Sequence, residues 1–195
     1  MNTNRASMLG PYPRTAISVI LLALVIAFSF SGLRNGTWVN LLSFFEWMET
    51  TPFGLIGKTW GGAFAVVEAF HLVALGVLGG AVIFSDGRLL GLFSSLSLRS
   101  VVDGAHKVFN WALITIVATG IFMVCGVAVK VYYLPVFWYK MLLLAVGTLF
   151  ALYIRKPIVD RAPEDVSPAV LKLTAVASIM IWFTVAAAGR WIGFS

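Results

Sequence analysis

At 195 residues, with 60% hydrophobic and only 11% charged residues, the chain is too apolar for an ordinary soluble domain, which carries about 25% charged residues. A net charge of +6 does not mark a nucleic-acid binder here, because the basic residues sit between apolar runs, as membrane topology requires. The single cysteine, Cys125, excludes an internal disulfide and any cysteine-based metal motif.

Five apolar spans follow in chain order. A spanning helix needs roughly 20 apolar residues. The first span, about 15–33, carries no charge. A rival reading treats it as a cleaved signal peptide, since Arg5 and Arg14 precede an apolar stretch ending in Ser29-Phe30-Ser31-Gly32. Residues 38–51 mix Leu41, Leu42, Phe44, Phe45, Trp47 and Met48 with Glu46 and Glu49. That pattern predicts an amphipathic helix on the membrane surface, broken near Pro52.

The second span, about 59–85, holds Glu68 and His71 in an otherwise uncharged run. Ionisable residues at membrane depth are functional candidates by default. Three residues apart on a helix, the two side chains are neighbours and could pair. Gly62, Ala69, Gly76 and Gly80 form a small-residue stripe, and Gly76-xxx-Gly80 predicts a close helix–helix approach. His71 lies nearly opposite that stripe and is expected to face a neighbour or a cavity.

A turn motif, Ser85-Asp86-Gly87-Arg88-Leu89-Leu90-Gly91, follows on the cytoplasmic side. Asp86 and Arg88 are expected to pair or bind headgroups there, and Gly87 allows the turn. The third span, about 107–129, begins beside His106, with Asp103 as a candidate cap. His71 and His106 are the two candidate ligands for a b-type haem. Their expected depths differ by roughly 15 Å, whereas two axial nitrogens on one iron lie within about 4 Å. Met123 and Cys125 read as core residues.

The fourth span, about 135–155, carries Lys140 one turn inside its start. It either snorkels to the headgroups or, as part of an intramembrane polar site with Glu68 and His71, pairs with Glu68 or binds an anion entering from outside. The fifth span, about 168–190, follows a loop with Pro157, Pro163, Asp160, Glu164 and Asp165. Ser167 before Pro168 predicts its start, and Arg190 near its end has the same two readings as Lys140.

Nine basic residues fall on one set of connecting segments and five on the other, which predicts a cytoplasmic N-terminus and an outside C-terminus. Trp38, Trp47, Trp60, Trp138 and Trp191 then share the outer interface, where indole rings settle.

Trp60, His71, Asp86-Gly87-Arg88-Leu89-Leu90-Gly91, Gly120 and the Phe137…Lys140 pair resemble an uncharacterised family of bacterial inner-membrane proteins, a domain of unknown function. The resemblance spans about Trp47 to Leu152 and leaves the fifth span outside. It implies no activity, but its pattern includes both His71 and Lys140.

The expected architecture is therefore all-α: a single polytopic domain over residues 1–195, with about five transmembrane helices and one surface helix. A membrane subunit or scaffold of a larger complex is the leading functional reading, with the bilayer and other membrane subunits as partners and no nucleic acid. The alternatives are a redox subunit holding b-type haem or quinone through His71, and a carrier of protons or a small anion using Glu68, His71 and Lys140. No phosphate loop, paired catalytic carboxylates or Ser/His/Asp set is present, so no catalytic residue is assigned.

Overall fold

The computed structural model describes residues 13–161 and 166–194. Every regular element among them is helical. They are α1 (Pro13–Ser29), α2 (Leu33–Thr50), α3 (Pro52–Thr59), α4 (Gly61–Leu90), α5 (Leu98–Gly126), α6 (Ala128–Tyr132), α7 (Pro135–Leu149), a π-helical segment (Phe150–Arg155), α8 (Lys156–Val159) and α9 (Pro168–Ile192).

Four helical stretches are long and apolar enough to cross a membrane: Gly61–Leu90, Leu98–Gly126, Pro135–Val159 and Pro168–Ile192. The shortest has 25 residues, or roughly 37 Å at 1.5 Å per residue, against a hydrocarbon core of about 30 Å. The chain is a multi-pass membrane protein. The expected first span appears as α1, 17 residues and shorter than the other four. The expected surface helix runs longer, as α2, and ends before Pro52, where α3 begins.

The helix starts are local chemistry. Thr51, Ser97 and Ser167 each accept a hydrogen bond from a backbone N–H three residues on, at 3.2, 3.4 and 3.3 Å. Pro52, Pro135 and Pro168 sit in first turns, where their missing N–H is not needed. Asp103 is not the cap expected for the third span, because α5 starts at Leu98, earlier than its apolar run; Asp103 pairs with Arg99 at 2.9 Å. α4 ends at Gly91, whose φ of 103° is readily adopted only without a Cβ.

The core lies between α4, α5, α9 and the π-helical segment, around Leu78, Val82, Phe109, Ile116, Trp182 and Val185. α7 lies against α9, and α1 lies against the π-helical segment. A second cluster forms at the opposite end of the bundle from Arg155, where Phe45 of α2 meets Tyr132 of α6 and Phe137 of α7, with Trp38 and Trp138 packed around them. There the Tyr132 hydroxyl donates to the Trp38 carbonyl, and Trp138 Nε1 donates to the Tyr132 carbonyl at 2.8 Å. Glu49 of α2 pairs with Lys58 of α3 and accepts from the Val129 N–H at 2.8 Å, so α2 and α3 are tied to α6.

Candidate intramembrane site

Two small cavities lie along the four-helix core, and Trp182 lines both. The first is enclosed by His71, Leu75 and Leu78 of α4, Leu113 and Ile116 of α5, Lys140 and Leu144 of α7, and Trp182, Val185 and Gly189 of α9. Its volume is about 20 Å³, space for one water or an ion of that size.

His71 is buried, and its Nδ1 lies 2.8 Å from Thr119 Oγ1 on α5. The Thr119 hydroxyl is 2.6 Å from the Thr115 carbonyl and donates to it. Thr119 must therefore accept from His71, so Nδ1 carries the proton and a neutral ring keeps its lone pair on Nε2. Gly120 gives the ring its place: a Cβ there would lie 3.4 Å from His71 Cε1. Lys140 folds inward instead of snorkelling. Its Nζ packs against Gly189, where a Cβ would stand 3.3 Å away. Among the described residues it has neither a salt bridge nor a hydrogen bond, and its charge bears on His71.

The second cavity, also about 20 Å³, is lined by Ser85, His106, Phe109, Arg155, Ser178 and Trp182 among others. Asp86 is fully buried beside it and binds the Arg155 guanidinium, with Oδ1 at 2.9 Å from Nε and 2.6 Å from one terminal nitrogen. Arg155 also donates to Ser85. The π-helical segment places Arg155 there. Pro157 has no N–H to give the preceding turn, and its ring would crowd the carbonyl of Tyr153, four residues back. A wider turn relieves both and re-aims the residues within it.

Several expected placements change. Glu68 does not pair with His71: it lies on the exposed side of α4, and Thr119 supplies the histidine's partner. Gly62, Ala69, Gly76 and Gly80 are exposed as well, and a Cβ at any of the three glycines would meet nothing within 4 Å. The close approach falls elsewhere, between α3 and α5, where a Cβ on Gly57 would stand 3.0 Å from the Gly126 Cα. The expected turn motif is largely helix. Asp86 and Gly87 are buried in the last turns of α4, Arg88 Nε donates to the Leu96 carbonyl at 2.9 Å, and Gly91 rather than Gly87 makes the turn. Arg190 is exposed and lies over the Phe194 ring at 4.3 Å. Glu164 and Asp165 lie outside the described residues.

The two histidines do not share an iron. His71 sits against Thr119, and His106 lies thirteen residues before Thr119 on α5, or roughly 20 Å along the axis. Each cavity is about 20 Å³, far below the roughly 300–1,000 Å³ of a site for a flat organic cofactor. The packing around His71 therefore fits neither a haem nor a quinone ring. Among the described residues, no group of three or more His, Cys, Asp or Glu side chains gathers to hold a metal.

Thr119, Arg155, Ser178 and Trp182 escape a reading based on isolated charges in apolar runs. Their available signals were weaker: Pro157 two residues after Arg155, and Ser178 one turn before Trp182 on one helical face.

A family model matches residues 44–195, and the chain belongs to that family, described as a family of unknown function (DUF6644). The match takes in the fifth span, which the motif resemblance had left out. No curated protein and no solved structure matches the chain.

Proposed function

We propose that this member of the family binds a small monovalent anion at the cavity between His71 and Lys140 and carries it across the membrane. Lys140 is the observation behind this reading. It turns into the bundle with no acidic partner among the described residues, and a desolvated cation without one is costly. A bound anion removes that cost. No Asp or Glu lines the cavity to repel it, and the volume suits one small ion. Glu68 drops out of the site. The bias of basic residues supports an orientation with the Arg155 end in the cytoplasm and the Lys140 end outside, and the reading takes the membrane to be a bacterial inner membrane.

The test is thermal unfolding of the purified protein, prepared without halide and then titrated with chloride, nitrate or formate. Saturation to about 100 times Kd is expected to add about 2.7 kcal/mol of stability. Lys140→Met should abolish the response and His71→Phe should reduce it. Efflux of the same anion from proteoliposomes should follow the same order. An anion response that survives in Lys140→Met overturns the proposal, as does no response in the unaltered chain.

A membrane-subunit role is the second reading. Gly76 and Gly80 lie on the exposed side of α4, and Glu68 is exposed within a spanning helix, without a partner among the described residues. A partner helix would cover both. A cysteine placed at Gly76 and cross-linked in native membranes should capture another chain, and reaction with lipid-phase reagents alone would count against this role.

A further inference from the structure

We propose that the cavity at the Arg155 end binds a single water molecule that delivers protons to Asp86. Three buried polar atoms there lack a hydrogen bond among the described residues: Asp86 Oδ2, Ser178 Oγ and Trp182 Nε1. Their residues are 0%, 1% and 5% exposed, so bulk solvent does not satisfy them. Ser178 and Trp182 stand one turn apart on α9 and both line the cavity, whose volume of about 20 Å³ suits one water. Ser178 Oγ lies beside the Asp86 carboxylate without a bond of normal geometry.

The donor set selects water. Trp182 Nε1 can only donate, Asp86 Oδ2 as carboxylate can only accept, and the serine hydroxyl does either. An anion would face the Asp86 carboxylate, and a cation would face the Arg155 guanidinium and the indole N–H. Water accepts from the indole and donates to the carboxylate, which completes its two to four bonds.

His106 connects the water to the membrane surface. It lines the same cavity and is only half-buried. Its Nε2 lies 3.2 Å from Asn110 Nδ2 and accepts from it, so a neutral ring carries its proton on Nδ1. The charged groups around it are Arg155 on the π-helical segment, Lys156 on α8, Asp160 just past the end of α8, and Asp103 on its own helix. α4 lines the cavity with Ser85, and its Asp86 lies behind Arg155, while α9 faces the cavity with the uncharged Ser178 and Trp182.

The step balances without another reactant. An imidazolium at His106, whose Nε2–H donates to Asn110 Oδ1 once that amide turns over, gives its Nδ1 proton to the water as the water gives one of its own to Asp86 Oδ2. One N–H and one water O–H bond break; one water O–H and one carboxyl O–H bond form. The neutral carboxyl loses its charge attraction to Arg155, so α4 and the π-helical segment are held together less tightly.

The inference does not depend on anion binding at Lys140, and its test separates the two. Infrared difference spectra of the full chain in lipid nanodiscs, recorded between neutral and acidic pH, should show a protonated-carboxyl band that shifts in D₂O. Asp86→Asn should remove it, while Lys140→Met should leave it in place. Ser178→Ala and His106→Phe keep the carboxylate and should move the band's titration midpoint by about one pH unit or more. Should Asp86→Asn fail to fold, those two variants carry the test alone. Absence of the band in the unaltered chain overturns the proposal, as does a midpoint unmoved in both Ser178→Ala and His106→Phe.

Discussion

The two ends of the bundle solve the same electrostatic problem in different ways. At the Arg155 end, a buried cation meets a buried carboxylate, and Asp86 Oδ1 takes two of its donors. At the Lys140 end, a cation enters the same core with no acid opposite it. The first arrangement is closed, and removing either partner leaves an uncompensated charge. The second is open, and its missing partner can come and go. Inward burial of a cation is thus not evidence of one role; the inventory of acids around it decides between a latch and a binding site.

The sharpest break in this comparison lies at the closed end. Asp86→Ala should destabilise the protein by about 3–5 kcal/mol, because it strands the guanidinium in the core. Arg155→Met should cost a similar amount by stranding the carboxylate. The double variant should cost clearly less than the sum of the two. Reversible unfolding in mixed micelles measures all three. Equal, additive and small losses would mean that bulk solvent reaches the pair, and the contrast between the ends would disappear.

Next in size come the glycines. Gly57→Leu or Gly126→Leu should cost about 1–3 kcal/mol, since each forces α3 and α5 apart. Gly76→Leu and Gly80→Leu should leave the isolated protein's stability within about 0.5 kcal/mol, because nothing stands within 4 Å of the added carbon. The reverse order would show that the stripe on α4 packs inside the chain after all.

These glycines also show what the sequence made legible. Hydropathy runs and helix starts were readable, because each depends on local chemistry: Ser167 before Pro168 opens α9 as expected. The small-xxx-small pattern located a possible contact surface on α4, but periodicity alone does not say which side of a helix meets another helix. Gly57 and Gly126 became neighbours only through a crossing of two helices distant in sequence. The same limit explains His71. Helix spacing points to a partner three residues away, at Glu68, whereas the partner lies 48 residues on, at Thr119. Asp86 read as a surface turn because its apolar run ended at Ser85, whereas α4 continues to Leu90 and Arg155 provides its charge from another helix.

At the open end, Thr119→Val should cost about 1–3 kcal/mol by removing the hydroxyl that accepts from His71 Nδ1–H. Glu68→Gln should be nearly neutral in the isolated protein, and its effect should add to that of His71→Phe in a double-mutant cycle, as for residues with no shared partner. A coupling of about 1 kcal/mol between them would restore the direct pair and remove Thr119 from its role.

The smallest expected effect lies outside the spanning helices, where Glu49 ties α2 to α3 and α6. Burial pushes the Glu49 carboxyl up, but the hydrogen bonds from Lys58 and from the Val129 N–H, with the charge of Lys58, outweigh it and hold the group below its ordinary value of 4.5. The folded state therefore prefers the ionised form. Its stabilising share is fully present above the unfolded value and is lost as the pH falls through the lower, folded one. Unfolding midpoints of the intact chain should decline across that acidic window, and Glu49→Gln should flatten part of the decline. Lys58→Met should flatten less of it, because the Val129 N–H still favours the carboxylate. Because the lysine is exposed, added salt should weaken its share of the effect more than that of the backbone donor. An acid decline unchanged in Glu49→Gln would assign it to other groups, with Asp86 at the closed end the first to examine.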